Sequence, residues 1–284
     1  DHTGKKPEEI EEENYFFKFS AFQDDLLALY EANKDFVKPE FRLNEINEFV
    51  KNGLQDFSIS RVKERMPWGV PVPGDEDQVM YVWFDALTNY ISTLGWPEDT
   101  ETFEKFWVNG QTLQIAGKDN LRQQSAMWQA MLMAAGLPTT DNVLINGFII
   151  SNGQKMSKSL GNVINPYDLV DEFGVDALRY FILRHVSLSE DSDVTADKFK
   201  EAYNANLANG LGNLVSRVLK MATSYGVLLD FPDRAETLEE IQKEDGFKVY
   251  RDSMESYNYN ASLDFIWKEI GEMDEFIAKE QPFK

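Results

Sequence analysis

The pattern of apolar and polar positions divides the chain into two parts with different secondary structure. Up to about residue 150, short runs of apolar and β-branched residues alternate with segments whose apolar residues recur every three or four positions. Predicted strands cover 15–19, 57–61, 78–83, 112–116 and 143–150, and predicted helices cover 22–33, 44–51, 85–94 and 117–135. Residues 68–74 are too rich in proline for a central strand and are predicted to form a surface connection. Strands that alternate with helices indicate a doubly wound α/β sheet, which binds ligands beyond the carboxyl ends of its strands.

From residue 166 onward the pattern is helical almost throughout. A short helix, a glycine and a longer helix are predicted over 171–181, and long amphipathic helices over 201–225 and 247–279. An acidic linker separates the last two helices, and together these helices predict an antiparallel bundle. The expected fold class is therefore α/β followed by all-α.

A lysine-bearing loop lies between the two parts. The predicted strand 143–150 runs into Asn152-Gly153, a dipeptide suited to the positive φ angles of a tight hairpin turn. Lys155-Met156-Ser157-Lys158-Ser159 follows, and Asn165-Pro166 then opens a new helix. The pattern predicts a mobile cationic loop that can close over an anionic group, although many loops of this composition are merely solvated.

Composition excludes several classes of protein. The chain has 284 residues, 43% of them hydrophobic, which allows a sizeable core and excludes global disorder. It has no cysteine, which excludes disulfides, iron–sulfur clusters and thiolate catalysis; with His2 and His185 as the two histidines, no structural zinc site is expected either. No apolar run approaches the ~20 residues of a membrane span, so no membrane partner is expected, and the composition is consistent with the cytoplasm.

The net charge of −21, from 28 basic and 49 acidic side chains, weighs against a nucleic-acid partner. Phosphate binding normally requires a basic surface, so any RNA-binding cations here must be locally concentrated. Much of the acid lies in two blocks, 8–13 and 236–245, away from the candidate sites.

Two sets of side chains stand at helical spacing. On the predicted helix 117–135, Asn120, Gln124 and Trp128 share one face, and on 85–94 Ala86 and Tyr90 do the same, just after Trp83. They could line a pocket for a flexible apolar side chain, or they could simply pack in the core. Farther along, a polar row is formed by Asn206, Asn209 (or Gly210), Asn213 and Arg217. It could be a solvated face, but asparagine is a poor helix former, and asparagine and arginine are side chains that read base edges.

Several strings carry a resemblance to a known family. Residues 155–159 resemble the Lys-Met-Ser-Lys-Ser signature of class I aminoacyl-tRNA synthetases at all five positions, and Leu160-Gly161-Asn162 extends it. The wording of other strings is similar to that of the methionyl-tRNA synthetases in particular: Glu-Asn-Tyr-Phe-Phe at 13–17, Ser-Ile-Ser-Arg at 58–61, Tyr-Val-Trp-Phe-Asp-Ala-Leu-Thr-Asn-Tyr at 81–90, Gly-Lys-Asp at 117–119, and Leu-Ala-Asn-Gly-Leu-Gly-Asn-Leu-Val-Ser-Arg at 207–217. The strings follow the family's order along essentially the whole chain.

The resemblance implies a role for each matching residue. Catalysis of activation is implied for Arg61, Lys155 and Lys158; ATP binding for Gly117, Asp119, Lys155, Ser157 and Lys158; methionine binding for Trp83, Ala86, Leu87, Tyr90, Asn120, Gln124 and Trp128; and tRNA anticodon contact for Asn213, Arg217 and Phe283. The chain departs from the family at Gln124, where many members carry histidine, at Asn120, where isoleucine is common, and at Phe283, where a tryptophan stacks on the anticodon.

The resemblance also implies a division of the chain and a set of partners. Residues 1–54 are expected to be the end of a connective insertion with linking helices, and 55–150 the second half of a Rossmann-like catalytic domain. Residues 151–200 are expected to be the signature loop with a stem-contact region, and 201–284 a helical anticodon-binding domain. The family's His-x-Gly-His string and the zinc-binding cysteines of many members do not occur here. The chain is therefore expected to be the C-terminal part of a synthetase and to be inactive alone.

The expected function is ATP-dependent methionine activation and transfer to tRNA, with magnesium bound to the ATP and no zinc. The expected partners are methionine, ATP, the methionine tRNA and the missing N-terminal half of the same protein. Two alternatives remain open at the level of sequence. One is a class I synthetase for another aliphatic amino acid, and the other is a non-catalytic tRNA-binding module.

Overall fold

The protein is described by a computed structural model that covers residues 11–227, 240 and 245–282. The chain divides into two compact units, of which the first ends at Asn146 and the second begins at Gly147. The finer four-segment division expected from the sequence stays a prediction.

The first unit contains eight described strands in three small sheets. They are β1 (Phe16–Phe17), β2 (Val37–Lys38), β3 (Phe57–Ser58), β4 (Ser60–Val62), β5 (Pro71–Val72), β6 (Asp75–Met80), β7 (Leu113–Gly117) and β8 (Asn142–Asn146). Strand β1 pairs antiparallel with β3, and β6 lies between β4 and β5 in an antiparallel sheet. The third sheet has the order β2-β8-β7 and is parallel throughout, with Leu113 opposite Asn142 and Gly117 opposite Asn146. The parallel sheet and its connecting helices are those of the predicted α/β fold.

The helices of the first unit are α1 (Gln23–Ala32), α2 (Glu40–Lys51), α3 (Val82–Ser92), α4 (Thr100–Phe103) and α5 (Trp128–Ala134). The predicted helices 22–33 and 44–51 are confirmed, although α2 begins earlier, after Pro39. The predicted helix 117–135 is less regular than expected. It opens with a 3₁₀ turn at Lys118–Asn120 and contains a π-helical stretch at Gln123–Met127 before α5.

Three further predictions in this unit need correction. The strand expected over 57–61 is two strands, β3 and β4, which pair in different sheets. The strand expected over 78–83 ends at Met80, and Trp83 lies in the first turn of α3. The apolar run continues past the strand because α3 opens with the apolar but exposed residues Val82 and Trp83, and a short apolar run does not reveal its period. The connection expected over 68–74 contains strand β5, whose proline is tolerated because β5 lies at the edge of its sheet.

Two apolar clusters form the core of this unit. The larger one packs α1 and α2 against the parallel sheet; its fully buried members include Leu26, Tyr30, Phe36, Ile46, Val50, Val143 and Ile145. The second packs α3 against α5 around aromatic rings; its buried members are Leu87, Ile91, Phe103, Trp107, Trp128, Met131 and Leu132. The second cluster is the one that holds residues of the predicted methionine pocket.

The second unit begins with a small mixed sheet and is then mostly helical. Its described elements are β9 (Ile149–Ser151), β10 (Gln154–Lys155), α6 (Pro166–Phe173), α7 (Val175–His185), β11 (Ser192–Asp193), α8 (Ala196–Ala202), α9 (Asn213–Tyr225), α10 (Asp245–Glu255) and α11 (Tyr259–Glu280). Strand β9 lies between β10, with which it is antiparallel, and β11, with which it is parallel. The apolar core of the second unit includes the buried residues Leu169, Ala177, Phe181, Val194 and Phe199.

The strand predicted over 143–150 is in fact two strands in different sheets. Strand β8 ends at Asn146, and β9 begins at Ile149. Gly147 separates them where the chain passes against the backbone of Glu190, so closely that a Cβ atom at position 147 would overlap it. The predicted hairpin is confirmed, since Asn152 and Gly153 have φ angles of 53° and 73° and join β9 directly to β10.

The long helices of the second unit also differ from the prediction. The helix expected over 201–225 begins earlier, as α8, and passes through a π-helical stretch at Tyr203–Gly212 before α9. The helix expected over 247–279 is two helices, because Tyr257 has a φ of 60° and Asn258 caps α11 by accepting the Ala261 N–H. Within the part of the chain that the structure describes, no helix is long and apolar enough to cross a membrane.

Candidate functional site

The lysine loop leaves the β9–β10 hairpin in the second unit. Lys155 is the last residue of β10, two positions after the turn, and its side chain is exposed. Its ammonium nitrogen lies 4.4 Å from the centroid of the Phe148 ring, within the range of a cation–π contact. The turn and this contact hold the first lysine of the signature at the edge of the small sheet.

The rest of the loop is bonded to itself through Asn162. The Oδ1 atom of Asn162 accepts the Ser157 N–H at 2.9 Å, and its amide nitrogen donates to the carbonyl oxygen of Lys155 at 3.3 Å. The hydroxyl oxygens of Ser157 and Ser159 are 3.0 Å apart. Lys158 begins a 3₁₀ turn that ends at Leu160. Sequence reasoning included Asn162 in the motif but gave it no role, and the structure shows that it closes the loop.

Arg61 lies on β4 in the first unit and has a fixed geometry. Its Nη1 atom donates to the Ser58 hydroxyl and to the Ser60 carbonyl oxygen, both at 2.6 Å. Its guanidinium carbon lies 4.1 Å from the centroid of the Tyr81 ring. A guanidinium held in this way keeps its charge in one place without losing further side-chain entropy on binding a ligand.

The predicted ribose-binding residues follow the carboxyl end of β7. Gly117 ends that strand, and Asp119 lies exposed in the 3₁₀ turn that comes next. The side-chain amide of Asn120 is 3.4 Å from the Asp119 carboxylate. The structure therefore brings Asn120 next to the predicted ATP-binding carboxylate, while its role in the methionine pocket stays a prediction.

Four of the predicted methionine-binding residues come together between α3 and α5. The Gln124 amide nitrogen donates to the Tyr90 hydroxyl at 2.9 Å, and the rings of Tyr90 and Trp128 are 5.9 Å apart between centroids. Trp128 is 1% exposed and also meets Trp107 edge to face. Leu87 is buried in the same cluster. Of the other three, Asn120 lies beside Asp119, whereas Trp83 and Ala86 are exposed near the start of α3.

Polar atoms in this cluster lack partners. Among the described residues, the Gln124 Oε1 and Trp128 Nε1 atoms are buried without a hydrogen-bond partner, as is the Ser125 hydroxyl. Buried groups without partners are uncommon in folded proteins and are typical of places where a ligand or water completes the set. A separate apolar cavity of about 280 Å³ touches Trp128; its lining includes Phe17, Phe84, Thr88, Ile91, Trp96 and Met131.

The predicted RNA-binding residues are on α9 in the second unit. Asn213 is the first residue of α9 and is exposed, whereas Arg217 is half-buried and its Nη1 atom donates to Asp274 Oδ1 of α11 at 2.6 Å. A cavity of about 520 Å³ lies beside Arg217, lined also by Lys220, Met221, Ser224 and Tyr225. The Tyr225 hydroxyl donates to the Pro282 carbonyl oxygen at 3.0 Å, and Phe283, the predicted stacking residue, lies outside the described residues.

Asn206 does not belong with Asn213 and Arg217, although sequence spacing placed them in one row. Its amide nitrogen donates to the Ala202 carbonyl oxygen at 3.0 Å and lies 3.3 Å from His185 Nε2. Burial, followed by the charge of Arg184, lowers the pKa of His185. The π-helical stretch breaks the spacing of four, so the row that a regular helix would form is interrupted.

Comparison with known proteins identifies the class. The family model described as "tRNA synthetases class I (M)" matches residues 2–219. The chain therefore belongs to the class I tRNA synthetase family, of the methionyl type. A methionine–tRNA ligase of Brucella suis biovar 1 (strain 1330) is 42% identical over 284 residues, covering 99% of this chain and 54% of that protein. Another, of Rhizobium meliloti (strain 1021), is 48% identical over 219 residues, covering 77% of this chain and 42% of that protein.

The fold matches solved structures of the same type. Mycobacterium tuberculosis methionyl-tRNA synthetase in complex with methionyl-adenylate superposes with a TM-score of 0.84 at 37% identity, covering 96% of this chain and 54% of that one. The resemblance inferred from the motifs is thus confirmed, as is a class I fold with Rossmann-like sheets. The chain spans about half the length of the relatives it matches.

Among the described residues, no three His, Cys, Asp or Glu side chains converge as a metal site would require.

Proposed function

We propose that this chain provides the signature-loop half of the catalytic domain, and the anticodon-binding domain, of a methionine–tRNA ligase. The observation that carries the proposal is the complete Lys-Met-Ser-Lys-Ser loop on a tight hairpin, in a chain of the methionyl type. The substrates are methionine, ATP with its magnesium ion, and the methionine tRNA, and the cytoplasm is where all of these meet.

The reaction proceeds in two steps. A carboxylate oxygen of methionine bonds to the α-phosphorus of ATP, and the bond from that phosphorus to the bridging oxygen breaks, so pyrophosphate leaves with the electron pair. A ribose hydroxyl at the tRNA end then attacks the carbonyl carbon and displaces AMP. Negative charge grows on the leaving pyrophosphate in the first step. Lys155 and Lys158 bring positive charge to that group when their loop closes, and Arg61 is proposed to contribute to activation as well; positive charge at a developing anion is among the larger catalytic contributions.

The cluster around Tyr90 suits the methionine side chain. Aromatic rings pack well against a thioether, and sulfur is a weak hydrogen-bond acceptor. Because Gln124 donates to the Tyr90 oxygen, the hydroxyl proton of Tyr90 can point elsewhere, toward the sulfur of a bound methionine. The unpartnered buried atoms of Gln124 and Trp128 support a pocket completed by its ligand.

The parallel sheet supports a partner for the first unit. As far as the described strands go, β7 lies at the edge of its sheet, and its Leu113 and Ile115 side chains are 38% and 58% exposed. Parallel sheets are normally covered on both faces, so such an edge favours a further strand and helix. We propose that the missing N-terminal half of the same protein, with the His-x-Gly-His part of the ATP site, pairs there.

The α9 cavity supports recognition of the anticodon. It combines Arg217 and Lys220 with Tyr225, so a cationic wall and an aromatic ring lie in one place despite the net charge of −21. Base stacking on aromatic rings and hydrogen bonds to base edges together bind unstacked anticodon bases. The helices around this cavity are proposed to form the predicted helix-bundle domain.

The test is ATP–pyrophosphate exchange by the full-length protein that contains this chain, with methionine, isoleucine, leucine and valine offered in turn. Exchange with methionine alone is expected. Exchange preferring another amino acid would favour the alternative synthetase, and no exchange with any of them would favour a tRNA-binding module without catalysis.

The signature loop is tested in the same assay with Lys158→Ala. We expect the exchange rate to fall by about 100-fold or more, the range for losing one preorganised charge, while the KM for methionine hardly changes. Lys51→Ala, which removes a lysine paired with Glu48 on α2, is the matched control and should behave as the unaltered protein does. A raised KM for methionine with an unchanged kcat would contradict the leaving-group role.

A further inference from the structure

Two carboxylates, one just before β11 and one in it, accept hydrogen bonds from the backbone at the two ends of β9, the strand that leads into the signature loop. Asp191 Oδ1 accepts the Phe148 N–H at 2.9 Å, just before β9, and Asp193 Oδ1 accepts the Gly153 N–H at 3.1 Å, just after it. Gly153 is the second residue of the hairpin turn, and Lys155 follows two residues later. Asp193 therefore bonds the turn from which the lysine loop starts.

The Asp193 carboxylate is itself held in place by Lys198. The Lys198 ammonium donates to Asp193 Oδ2 at 2.8 Å and to the Asp193 carbonyl oxygen at 3.0 Å. Lys198 lies in the first turn of α8, where its own N–H donates to the capping hydroxyl of Thr195. Its neighbour Phe199 is fully buried in the core of this unit. The two successive hydrogen bonds, from Lys198 to Asp193 and from Gly153 to Asp193, thus link the loop to the packed core of this unit.

The charge state of Asp193 agrees with this geometry. The hydrogen bond from Lys198, and then the bond from the Gly153 N–H, lower the pKa of Asp193 below its ordinary value. The carboxylate is therefore ionised throughout the neutral range, and both of its oxygens are engaged.

Stabilisation of the whole fold does not account for the Lys198–Asp193 ion pair. The Lys198 and Asp193 side chains are 51% and 32% exposed, and ion pairs with that exposure contribute little to the stability of a fold. Their effect is local, because they restrain one end of a loop whose residues 159–161 are exposed. A catalytic loop that moves needs one fixed end if its charges are to arrive at the same place each time.

We propose that Asp193 is a positioning residue for the signature loop and that Lys198 holds Asp193 in the orientation this requires. Neither side chain touches the substrates. Together they fix the hinge at Gly153, so that Lys155 and Lys158 close on the triphosphate from a constant starting point. This inference rests on the proposed function for its catalytic consequence, but the restraint of the loop can be measured without any activity.

The first experiment measures that restraint in the 284-residue chain. Asp193→Ala and Lys198→Met are compared with Lys198→Arg, which keeps the charge, and with Asp197→Asn, which alters a neighbouring carboxylate on α8. Two rates are followed: amide hydrogen exchange at Gly153 and trypsin cleavage after Lys155 and Lys158. Both rates are expected to rise about tenfold or more in Asp193→Ala and Lys198→Met, in line with the loss of a local restraint, and to stay unchanged in Asp197→Asn. The thermal midpoint should change little in all four variants.

The second experiment measures catalysis in the full-length protein with the same variants. For Asp193→Ala, kcat of methionine-dependent exchange should fall by about 10- to 100-fold, as expected for a misplaced catalytic group, with KM for methionine unchanged. Lys198→Arg should restore most of the loss seen in Lys198→Met. If Asp193→Ala does not fold, Lys198→Met decides both experiments.

The outcomes separate the two proposals. If the unaltered full-length protein lacks methionine-dependent exchange, the proposed function fails, while the loop measurements still decide whether Asp193 restrains the loop. If the protein is active and Asp193→Ala leaves either the loop rates or kcat unchanged, the positioning role of Asp193 is overturned. An equal loss of kcat in Asp197→Asn would overturn it as well.

Discussion

At the scale of single residues, the pair formed by Gln124 and Tyr90 can be tested in the 284-residue chain itself. Tyr90→Phe removes the hydroxyl that accepts from the buried Gln124 amide and leaves that amide without a partner. We expect the free energy of unfolding to fall by about 1–3 kcal/mol, the cost of a buried polar group left unsatisfied. Urea unfolding measures this change.

A double-mutant cycle supplies the control. Gln124→Leu removes the other partner, so adding Tyr90→Phe to it should cost much less than Tyr90→Phe does in the unaltered chain. Equal costs in the two backgrounds would show that the hydrogen bond does not stabilise the pocket wall.

Arg217 is the second residue whose environment sharpens a prediction. Its guanidinium is paired with Asp274, so it offers little net charge to a phosphate but still presents a planar donor group. If it reads a base edge, Arg217→Lys should reduce tRNA charging by the full-length protein nearly as much as Arg217→Ala. Each two-bonded arginine–base contact discriminates by about 1–3 kcal/mol, and lysine cannot reproduce it.

The measurement is aminoacylation of the methionine tRNA, with methionine-dependent exchange as the control for the catalytic domain. Asn213→Ala should lower charging in the same way while exchange stays intact. Near-normal charging by Arg217→Lys would assign Arg217 to a phosphate contact and remove α9 from anticodon reading.

At the scale of elements, the boundary between β8 and β9 depends on one glycine. Because the Glu190 backbone lies against Gly147, Gly147→Ala must displace one of the two chain segments. We expect it to lower the free energy of unfolding by about 1–3 kcal/mol, the cost of forcing atoms into a packed region.

Gly271→Ala is the matched control, because position 271 is inside α11 and a Cβ there meets nothing within 4 Å. The same chemical change should there stabilise the protein, by about 0.5–1 kcal/mol, since alanine favours helix over glycine. Both are read from urea unfolding midpoints of the 284-residue chain. A neutral Gly147→Ala would mean that the two segments are not in close contact in solution.

The elements also show what the sequence could and could not reveal. The Asn152–Gly153 turn and the Asn165–Pro166 helix start were predictable because each depends on local backbone preferences, and the structure has both. The division of 143–150 into two strands depends on contact with Glu190, some forty residues away, for which a local pattern carries no signal.

The candidate sites divide in the same way. The signature loop could be found from its residues because its chemistry is local. The bond from Gly153 to Asp193 and the pairing of Arg217 with Asp274 join residues 40 and 57 positions apart, so no spacing rule could indicate them. The π-helical stretch likewise turned Asn206 away from a row that regular spacing had predicted.

At the scale of the whole molecule, the exposed edge of β7 leads to a prediction about activity. The 284-residue chain alone should not support methionine-dependent exchange, because fixed charges missing from the phosphate site cannot be replaced by a mobile loop. Adding the N-terminal half of the full-length protein as a separate polypeptide should restore measurable exchange if it pairs with β7.

A charged residue on the exposed face of β7 tests the place of that pairing. Ile115→Lys should reduce the restored exchange, since it puts a charge into the apolar contact, whereas Phe41→Lys alters an exposed aromatic residue on α2 and should not. Methionine-dependent exchange by the 284-residue chain alone, at a rate near that of the full-length protein, would refute the need for a second half.

The Asn152–Gly153 turn has a further consequence, which concerns the slow chemical degradation of the protein during storage. When the glycine nitrogen of such a pair loses its proton, it can attack the asparagine side-chain carbonyl, expel ammonia and form a cyclic imide. Opening of that ring by water leaves aspartate or its iso-form, which lengthens the backbone by one carbon and cannot keep the geometry of a two-residue turn. Asparagine is among the thermolabile residues for this reason. Here the Gly153 N–H donates a hydrogen bond to an ionised carboxylate. This bond disfavours loss of the proton that the reaction must remove. We expect stored protein to deamidate at Asn152 faster when Asp193 is replaced, so the same bond that holds the loop also slows its chemical decay.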